Sequence, residues 1–302
     1  MTDCQPAYLK ILKNGDLEKR VYEAKSHLKA CDVCPLQCGV NRTVGELGIC
    51  KIGKKVQVSS YFAHLGEERP ISGSRGSGTI FFSRCNLRCV YCQNADISQL
   101  SFGKEYDAEE LAGIMLSLQR VGCHNINLVS PSHVVPQILE AVHIAARRGL
   151  SLPLVYNTGG YDSLEMLFLL DGVVDIYMPD MKYGEEPTAR KYSIIKNYPI
   201  INQKAILEMQ RQVGDLIMDQ DGIAMHGLLV RHLVLPNDLA GSAAVLRFLA
   251  EKVSKNVYLN IMAQYHPAFK AKSFPELNRR ISAREYKQVI DLARELRLTR
   301  LD

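Results

Sequence analysis

The sequence predicts an α/β fold, a partial (β/α)6 barrel that carries a small N-terminal metal-binding module rich in cysteine. Two observations predict it. From residue 79 onward, apolar runs of β-favouring residues alternate with helical stretches, and six such runs occur. Seven of the nine cysteines fall into two clusters, one ahead of the first run and one directly after it. We place the metal-binding module at residues 1–74 and the barrel at residues 75–302.

The six apolar runs are nearly continuous in Val, Ile, Leu and aromatic residues, which suits parallel strands covered by helices on both faces. Six β/α units of this spacing predict a parallel barrel or an open partial barrel. The chemistry of such folds lies at the carboxyl ends of the strands. The predicted strands are 78–83, 125–130, 152–158, 174–180, 228–236 and 257–262.

Helix start signals separate the strands. Asp107 with Glu110 forms a capping-box pattern, and Ser282 with Glu285 opens the last helix in the same way. Residues 31–78 are rich in Cys and Gly, which predicts loops around a metal and then a flexible entry into the barrel.

The composition is that of an ordinary globular chain of 302 residues, 47% of them hydrophobic. The net charge of +5 comes from 37 basic and 32 acidic residues without a long basic run, so it does not favour a nucleic-acid partner. No apolar run approaches the ~20 residues of a membrane span, and the N-terminus lacks an apolar signal segment. We therefore expect a cytoplasmic protein with no membrane partner. In reducing cytosol, clustered cysteines bind metal or catalyse more often than they form disulfides.

Directly after the first predicted strand, three cysteines stand in the spacing C-x3-C-x2-C: Cys85, Cys89 and Cys92. Three thiolates are one short of the four that normally saturate a [4Fe–4S] cluster, so one iron stays open to an exchangeable ligand. The amino and carboxylate groups of S-adenosylmethionine (SAM) can chelate that iron. One electron from the reduced cluster would then break a C–S bond and release a 5′-deoxyadenosyl radical. A zinc site or a redox dithiol is the alternative, but the spacing and the position after a barrel strand favour the cluster.

The segment FFSRCNLRCVYCQN, residues 81–94, resembles the cluster loop of the radical SAM superfamily. Over roughly residues 75–270 the chain is similar, more narrowly, to proteins related to the pyruvate formate-lyase activating enzyme. The resemblance implies an oxidoreductase with a [4Fe–4S] cluster on Cys85, Cys89 and Cys92, SAM, and an electron donor such as flavodoxin or ferredoxin. It also implies that the radical abstracts hydrogen from a substrate.

Shorter matches to the family fall at predicted strand ends: YCQN (91–94), YNTGGY (156–161), MPDMKY (178–183), RHLVLP (231–236) and MAQYHP (262–267). In the family the aromatic position lies near the adenine, so the resemblance assigns that role to Tyr91. The cofactor-binding residues that the resemblance implies are Tyr91, Asn94, Asn157, Thr158, Asp180, Lys182, Arg231 and His266.

Several of these side chains also have a purely structural interpretation. Asp180 and Lys182 would form a surface ion pair, although their i, i+2 spacing points both to one face of a strand end. Arg231 would only pair with a neighbouring carboxylate, His266 would be a satisfied polar residue of a loop, and Tyr91 would pack without touching a ligand.

The family often carries Gly-Gly-Glu at the end of the second strand, where it binds the amino group of SAM. This chain has Ser130, Pro131, Ser132 and His133 there. The hydroxyls of Ser130 and Ser132 can accept a hydrogen bond from an ammonium group, so both are cofactor-binding candidates. Alternatively, Ser132 caps the following helix.

The N-terminal cluster has the spacing C-x2-C-x3-C-x11-C and consists of Cys31, Cys34, Cys38 and Cys50. Four thiols make a complete tetrahedral set for zinc or for one iron–sulfur cluster. Neighbouring glycines let the backbone wrap tightly around a metal. We favour structural zinc because four ligands close the site, and a second cluster is the alternative.

Three functions fit these motifs. The first is an activase whose radical abstracts a hydrogen atom from a glycine of a partner protein, supported by the similarity of the strand-end motifs to glycyl-radical activases. The second is a radical enzyme acting on a small molecule or an RNA base, which the extra module and the missing Gly-Gly-Glu allow. The third is a non-catalytic iron–sulfur or zinc scaffold or electron carrier, which leaves six barrel units with polar strand ends unexplained.

Overall fold

The computed structural model describes residues 5–100 and 102–302. Within these ranges, nine strands form one mixed sheet. The strands are β1 (Val56–His64), β2 (Ser77–Phe82), β3 (Lys104–Tyr106), β4 (Ile126–Val129), β5 (Leu154–Thr158), β6 (Ile176–Pro179), β7 (Ile217–Met218), β8 (Ala224–Leu233) and β9 (Tyr258–Met262). Along the sheet they follow the order β3-β1-β2-β4-β5-β6-β8-β7, and β9 also pairs with β8.

Helices connect and cover these strands. They are α1 (Ala7–Lys13), α2 (Asp16–Ser26), α3 (Arg69–Ser72), α4 (Ala95–Ser98), α5 (Ala108–Val121), α6 (Val135–Arg147), α7 (Leu164–Leu170), α8 (Glu186–Ser193), α9 (Tyr198–Val213), α10 (Ser242–Phe248) and α11 (Ala283–Glu295). Both predicted capping boxes are present, at the start of α5 and of α11.

Six strands run parallel side by side, in the order β2, β4, β5, β6, β8 and β9. They coincide with the six apolar runs predicted from the sequence. β5 and β6 are buried along their whole length, so both faces need apolar side chains, and their sequences do not alternate. The parallel strands and their connecting helices confirm the α/β class and fit a partial barrel.

The segment between the two cysteine clusters is not only loop. β1 spans nine residues there and pairs antiparallel with β2, and β3 pairs antiparallel with β1. Val56 and Val58 are buried, whereas the later residues of β1 are half-buried or exposed. The expectation of loops over residues 31–78 is therefore wrong for residues 56–64, because a strand near the sheet edge with one wet face lacks a continuous apolar run.

The two N-terminal helices pack on the barrel. α2 buries Leu17, Val21 and Ala24 and lies against α6. In α1, the Tyr8 hydroxyl donates a hydrogen bond to the Leu152 carbonyl oxygen at 2.9 Å. The first thirty residues therefore contribute to the same core as the β/α units.

A second apolar cluster lies around the loop that contains Cys85, Cys89 and Cys92, and it is rich in tyrosine. It contains Tyr91, Tyr161, Tyr183, Tyr192, Tyr198 and Tyr265. These large rings support the loop from the barrel side. As for membrane insertion, no helix among the described residues combines the length and the apolar character that crossing a bilayer requires.

Candidate active site

The loop that contains Cys85, Cys89 and Cys92 begins where β2 ends, at the carboxyl edge of the parallel strands. Backbone hydrogen bonds hold it on two sides. Arg88 N–H donates to the Ser193 carbonyl at 3.1 Å, and Val90 N–H donates to the Tyr192 carbonyl at 2.8 Å. Lys270 N–H, in the segment after β9, donates to the Val90 carbonyl at 2.8 Å. The loop is thus positioned by α8 and by the last barrel unit.

The thiols of this loop contact neighbouring hydroxyls. Cys89 Sγ lies 2.9 Å from Ser193 Oγ, and Cys92 Sγ lies 3.2 Å from Ser98 Oγ. In the part of the chain that the structure describes, no three His, Cys, Asp or Glu side chains are already arranged to hold a metal ion. The sulfurs of Cys89 and Cys92 thus contact hydroxyl groups, and a bound cluster would replace these contacts.

Two groups near these sulfurs, the Leu87 N–H and the Lys182 ammonium, would stabilise thiolate ligands of an iron–sulfur cluster, whereas burial favours the protonated thiols. Leu87 N–H donates to Cys85 Sγ at 3.4 Å, and hydrogen bonds to cluster sulfurs tune the reduction potential. Burial raises the pKa of Cys85 to about 12. Burial also raises the pKa of Cys89, and the charge of Lys182 opposes that rise. Thiols of this kind stay protonated until a metal displaces the proton.

Asp180 and Lys182 form a largely buried ion pair at the end of β6. Lys182 Nζ donates to Asp180 Oδ2 at 2.6 Å, and Arg231 Nε, from β8, donates to Asp180 Oδ1 at 2.9 Å. Burial alone would raise the pKa of Asp180, but Arg231 and Lys182 together lower it below its usual value. Burial lowers the pKa of Lys182, but Asp180 and Cys89 raise it above its usual value. The pair does not lie on the surface, since its side chains are only 13% and 20% exposed.

Arg231 links this ion pair to the interior of the barrel. Its Nη2 donates to Asn157 Oδ1 on β5 at 2.7 Å. Its Nη1 lies 3.6 Å from Glu67 Oε2 and 3.6 Å from Glu68 Oε1, in the segment after β1. Burial raises the pKa of Glu67 to about 7, against the opposing charge of Arg231. Arg231 therefore makes the carboxylate contacts that its purely structural interpretation predicts.

The interior also contains polar groups whose hydrogen-bonding capacity is unused. Asn127 on β4 is fully buried, and its amide lies beside Glu67 without a hydrogen bond of standard geometry. Glu68 Oε2 is buried without a partner, whereas Glu68 Oε1 accepts from Asn260 Nδ2 at 3.0 Å. Unpaired buried polar groups are costly, so a ligand or water that meets them would stabilise the site. We call the following set the inner polar cluster: Glu67, Glu68, Asn127, Asn157, Arg231 and Asn260.

Tyr91 is buried among the tyrosines next to the loop. Its hydroxyl donates to Tyr183 Oη at 2.7 Å, and Tyr183 Oη lies 2.7 Å from Ser193 Oγ, the neighbour of Cys89 Sγ. The Tyr91 ring also packs edge to face on Tyr265, with the ring centroids 5.9 Å apart. Tyr91 therefore braces the cysteine loop, and its contact with adenine stays a prediction.

Ser132 and Thr158 belong to a separate buried network. Ser132 Oγ lies 2.9 Å from Thr158 Oγ1, which donates to Asp162 Oδ2 at 2.7 Å. The Tyr156 hydroxyl donates to Asp162 Oδ1 at 2.9 Å. Ser132 does not cap the following helix, because the N-cap of α6 is Val134, so that alternative is wrong.

The remaining predicted residues lie in the loop or at strand ends. Ser130 has a left-handed backbone with φ of 60°, and its N–H donates to the Asn157 carbonyl at 2.9 Å. Asn94 is exposed just before α4. His266 is half-buried, and its Nδ1 lies 3.4 Å from Gln93 Nε2. Side-chain hydrogen bonds thus connect Asn157, Asp180, Lys182 and Arg231. Ser130, Asn94 and His266 lie outside that network.

Sequence reasoning missed Ser193, Glu67, Glu68 and Asn127. Asn127 could have been found from the sequence, because an amide in the middle of an apolar strand is unusual. Glu67 and Glu68 carried no such signal, because they precede the barrel units and meet Arg231 only in the folded chain. Ser193 lies 104 residues from its partner Cys89.

The four N-terminal cysteines lie near one another at a second place, but no three of these thiols are arranged to hold a metal ion. Cys31, Cys34 and Cys50 are buried and Cys38 is half-buried. All four line one cavity of about 10 Å³. Burial raises the pKa of Cys34 to about 12.

Family comparison agrees with this geometry. Residues 79–208, which run from β2 into α9, match the model of the Radical SAM superfamily. The chain belongs to the radical SAM superfamily. A radical SAM domain implies a radical enzyme with a [4Fe–4S] cluster, SAM and an electron donor.

This radical SAM protein is similar to an uncharacterized protein of Methanocaldococcus jannaschii, MJ0674, with 35% identity over 297 residues, 96% of this chain and 82% of the relative. Two solved structures resemble it over 72% of its length, each with a TM-score of 0.50. One is a radical SAM methyltransferase from Sphaerobacter thermophilus, with 15% identity over 63% of that chain. The other is HydG, a maturase of the [FeFe]-hydrogenase, with 14% identity over 48% of that chain. At these identities the two structures show the fold alone.

Proposed function

We propose that the protein holds a [4Fe–4S] cluster on Cys85, Cys89 and Cys92, cleaves SAM reductively, and uses the 5′-deoxyadenosyl radical to abstract hydrogen from a substrate. The observation that carries the proposal is the position of the three-cysteine loop at the carboxyl end of β2, with Lys182 close enough to influence Cys89. When bound and reduced, the cluster supplies the electron that breaks the sulfonium C–S bond.

The residues at the ends of β6 and β8 would orient SAM. Lys182 and Arg231 hold both carboxylate oxygens of Asp180, which leaves that carboxylate one orientation. A fixed carboxylate beside the cysteine loop can position a polar group of the cofactor. Such positioning matters because a displacement of ~1 Å at a reacting centre can cost about a hundredfold in rate.

The tyrosine cluster would keep the reacting centre dry and in place. The contacts from Tyr91 through Tyr183 and Ser193 end at Cys89, so the loop is braced from the barrel side. The rings fill the space next to the sulfurs, and exclusion of water protects a reactive radical from side reactions.

For the hydrogen donor, we propose first a glycine of a partner protein, as for a glycyl-radical activating enzyme. Support comes from Asn157, Asp180, Lys182 and Arg231, which match the motifs of that group and lie in one connected network. A flavodoxin or a ferredoxin would supply the electron. We place the reaction in the cytoplasm, because the eight cysteines in the described ranges are all free thiols.

A second candidate is favoured by the inner polar cluster: a radical enzyme acting on a small molecule or an RNA base. The cluster contains an Asn127 amide without hydrogen bonds of standard geometry and an unused acceptor at Glu68. A glycine in a peptide presents only one N–H and one C=O to such groups. A small polar substrate with several donors and acceptors would satisfy them better.

Anaerobic turnover tests the chemistry. We expect reconstituted protein with SAM and dithionite to form 5′-deoxyadenosine, and Cys85→Ala, Cys89→Ala or Cys92→Ala to reduce its formation to background because each removes one cluster ligand. Cys123→Ala is the matched control, since Cys123 is a lone buried thiol that should leave turnover unchanged. Wild-type product formation by Cys89→Ala would disprove the assignment.

The identity of the hydrogen donor needs a separate experiment. Incubation with a glycyl-radical enzyme should give a stable glycyl radical visible by electron paramagnetic resonance if the activase proposal is right. If instead deuterium moves into 5′-deoxyadenosine from a labelled small molecule, and Asn127→Leu weakens that transfer, the second candidate replaces it.

A further inference from the structure

We propose that the four N-terminal cysteines bind one zinc ion as a four-thiolate site, that the Arg42 guanidinium is its buried counter-charge, and that the site braces the catalytic loop through His133. The ligands are Cys31, Cys34, Cys38 and Cys50. This inference does not rest on the radical chemistry proposed above, so either can fail without the other.

Backbone hydrogen bonds fold the cysteine segment into a narrow loop. Cys31 N–H donates to the Val40 carbonyl and Gly39 N–H donates to the Cys31 carbonyl, both at 2.9 Å. Gln37 N–H donates to the Cys34 carbonyl at 3.0 Å and closes a tight turn between the second and third cysteines. The cavity that all four line, about 10 Å³, has room for about one water-sized atom. Among the described residues no three of these thiols are already arranged to hold an ion, so binding would require their side chains to turn toward the cavity.

Arg42 is a buried cation whose partners do not balance its charge. It is 1% exposed, and it donates from Nε to the Gly53 carbonyl at 3.0 Å and from Nη1 to the His133 carbonyl at 2.9 Å. Nη1 also lies 3.8 Å from Cys31 Sγ, and Nη2 has no hydrogen-bond partner. These partners are neutral carbonyls and a thiol, and none is a carboxylate.

A four-thiolate zinc site supplies the missing negative charge. A guanidinium stays charged at any physiological pH, and burying it without an anion is unfavourable. Zn²⁺ with four thiolates carries a net charge of −2, so Arg42 next to Cys31 would offset half of that charge. On binding, the ion displaces the thiol protons to the solvent, and no electron is transferred.

His133 connects this site to the catalytic loop. It follows β4, is 1% exposed, and lines the same cavity as the cysteines. Its Nε2 lies 3.2 Å from the Ser83 carbonyl oxygen, two residues before Cys85, and its Nδ1 has no partner. Arg42 holds the backbone of His133, so loss of the metal should loosen the start of the catalytic loop.

Metal analysis of a variant without the catalytic cysteines tests the site. We would replace Cys85, Cys89 and Cys92 by Ala in the full chain and purify it anaerobically from cells supplied with zinc and iron. We expect about one zinc per chain, and after exchange with Co²⁺ the absorption of a tetrahedral thiolate site. Iron, with or without sulfide, would overturn the zinc assignment, and a metal-free folded protein would overturn the site.

The role of Arg42 is tested in the same background. Arg42→Met should weaken zinc binding 10- to 100-fold in competition with a chelator, which is the usual effect of removing a group that supports metal ligands. Arg42→Lys keeps the charge and should recover part of the loss. Arg148→Met removes an exposed arginine that pairs with Glu109 and serves as the control. Equal affinity in Arg42→Met and the control would show that Arg42 is not the counter-charge.

Hydrogen exchange tests whether the zinc site supports the catalytic loop, and it does not require enzyme activity. Chelation of zinc from the same protein should speed amide exchange in residues 83–92 and leave β5 and β6 unchanged. His133→Phe, which removes the contact with the Ser83 carbonyl, should speed exchange in residues 83–92 even with zinc bound. Unchanged exchange there after chelation would mean that the metal does not support the catalytic loop.

Discussion

At the scale of single residues, Glu67 is the acid whose burial has the clearest consequence. Its side chain is 9% exposed and faces Arg231, Glu68, Asp180 and the amide of Asn127. Burial raises its pKa from 4.5 to about 7, Arg231 opposes the rise, and the two neighbouring acids add to it. With Glu67 neutral, the charges of Arg231 and Lys182 balance those of Asp180 and Glu68.

This burial predicts a pH dependence of stability. The unfolded chain ionises Glu67 near pH 4.5 and the folded chain near pH 7, so folding takes up a proton between these values and stability falls as pH rises through them. Glu67→Gln removes this effect. The variant and the wild type should have nearly the same free energy of unfolding at pH 4.5, and that of the variant should be higher by about 3 kcal/mol at pH 8.

Urea unfolding from pH 4.5 to 8 measures the difference. Asp175, whose burial also raises its pKa to about 7, is present in both proteins and cancels. Glu295→Gln, at an exposed position of α11, is the control variant. A constant difference between Glu67→Gln and wild type over the whole range would contradict the burial argument.

At the scale of elements, the turn after β5 joins two barrel units and positions Asp180. Asn202 Nδ2, from α9, donates to the Gly160 carbonyl at 2.9 Å and to the Asp180 carbonyl at 3.0 Å. Gly160 has a left-handed φ of 75°, and a Cβ there would lie 2.2 Å from both Asn202 Nδ2 and Asp180 O. Only glycine fits this turn, because the backbone of the next unit leaves no room.

Gly160→Ala should therefore destabilise the fold more than the same substitution does at an uncrowded position with a left-handed backbone. Gly122→Ala is the matched control, since Gly122 has φ of 93° and no atom within 4 Å of the added Cβ. We expect a loss of about 1–2 kcal/mol at Gly122 and of about 3 kcal/mol or more at Gly160, where the Asp180 backbone must also move. Equal losses in urea unfolding would show that the turn can relax.

At the scale of the whole molecule, the N-terminal residues share one core with the barrel. β1 covers the edge of β2, and α2 packs on α6. The Asp175 carboxylate, just before β6, accepts hydrogen bonds from Ala7 N–H and Leu154 N–H, both at 2.8 Å. A cut at residues 74/75 would leave β2 as an exposed edge and remove buried side chains of α2.

We predict that a fragment of residues 75–302 does not fold like the full chain. It should bind a hydrophobic dye and unfold without a sharp transition, because the loss of β1 and α2 uncovers apolar surface. A fragment of residues 56–302, which keeps β1, should recover part of the cooperativity. If residues 75–302 unfold cooperatively at the midpoint of the full chain, the barrel is an independent domain.

The amino-acid sequence by itself determined the features that depend on neighbouring residues. Continuous apolar runs predicted the six parallel strands, because burial on both faces demands such runs. The spacing of Cys85, Cys89 and Cys92 and the polar strand ends pointed to radical SAM chemistry and to Asp180 beside Lys182. The apolar runs and the cysteine spacing lie within short windows of the sequence, whereas the expected roles of Asp180 and Lys182 came from the resemblance to the family.

Only the tertiary structure decided which distant residues meet. It brought Glu67 and Glu68 to Arg231, Ser193 to Cys89, and Arg42 to His133, each across more than ninety residues. It also paired β1 with β2, although the half-exposed β1 has no continuous apolar run. No local pattern encodes such contacts, because they arise when separate segments pack together and their buried side chains must share charge and hydrogen bonds away from water.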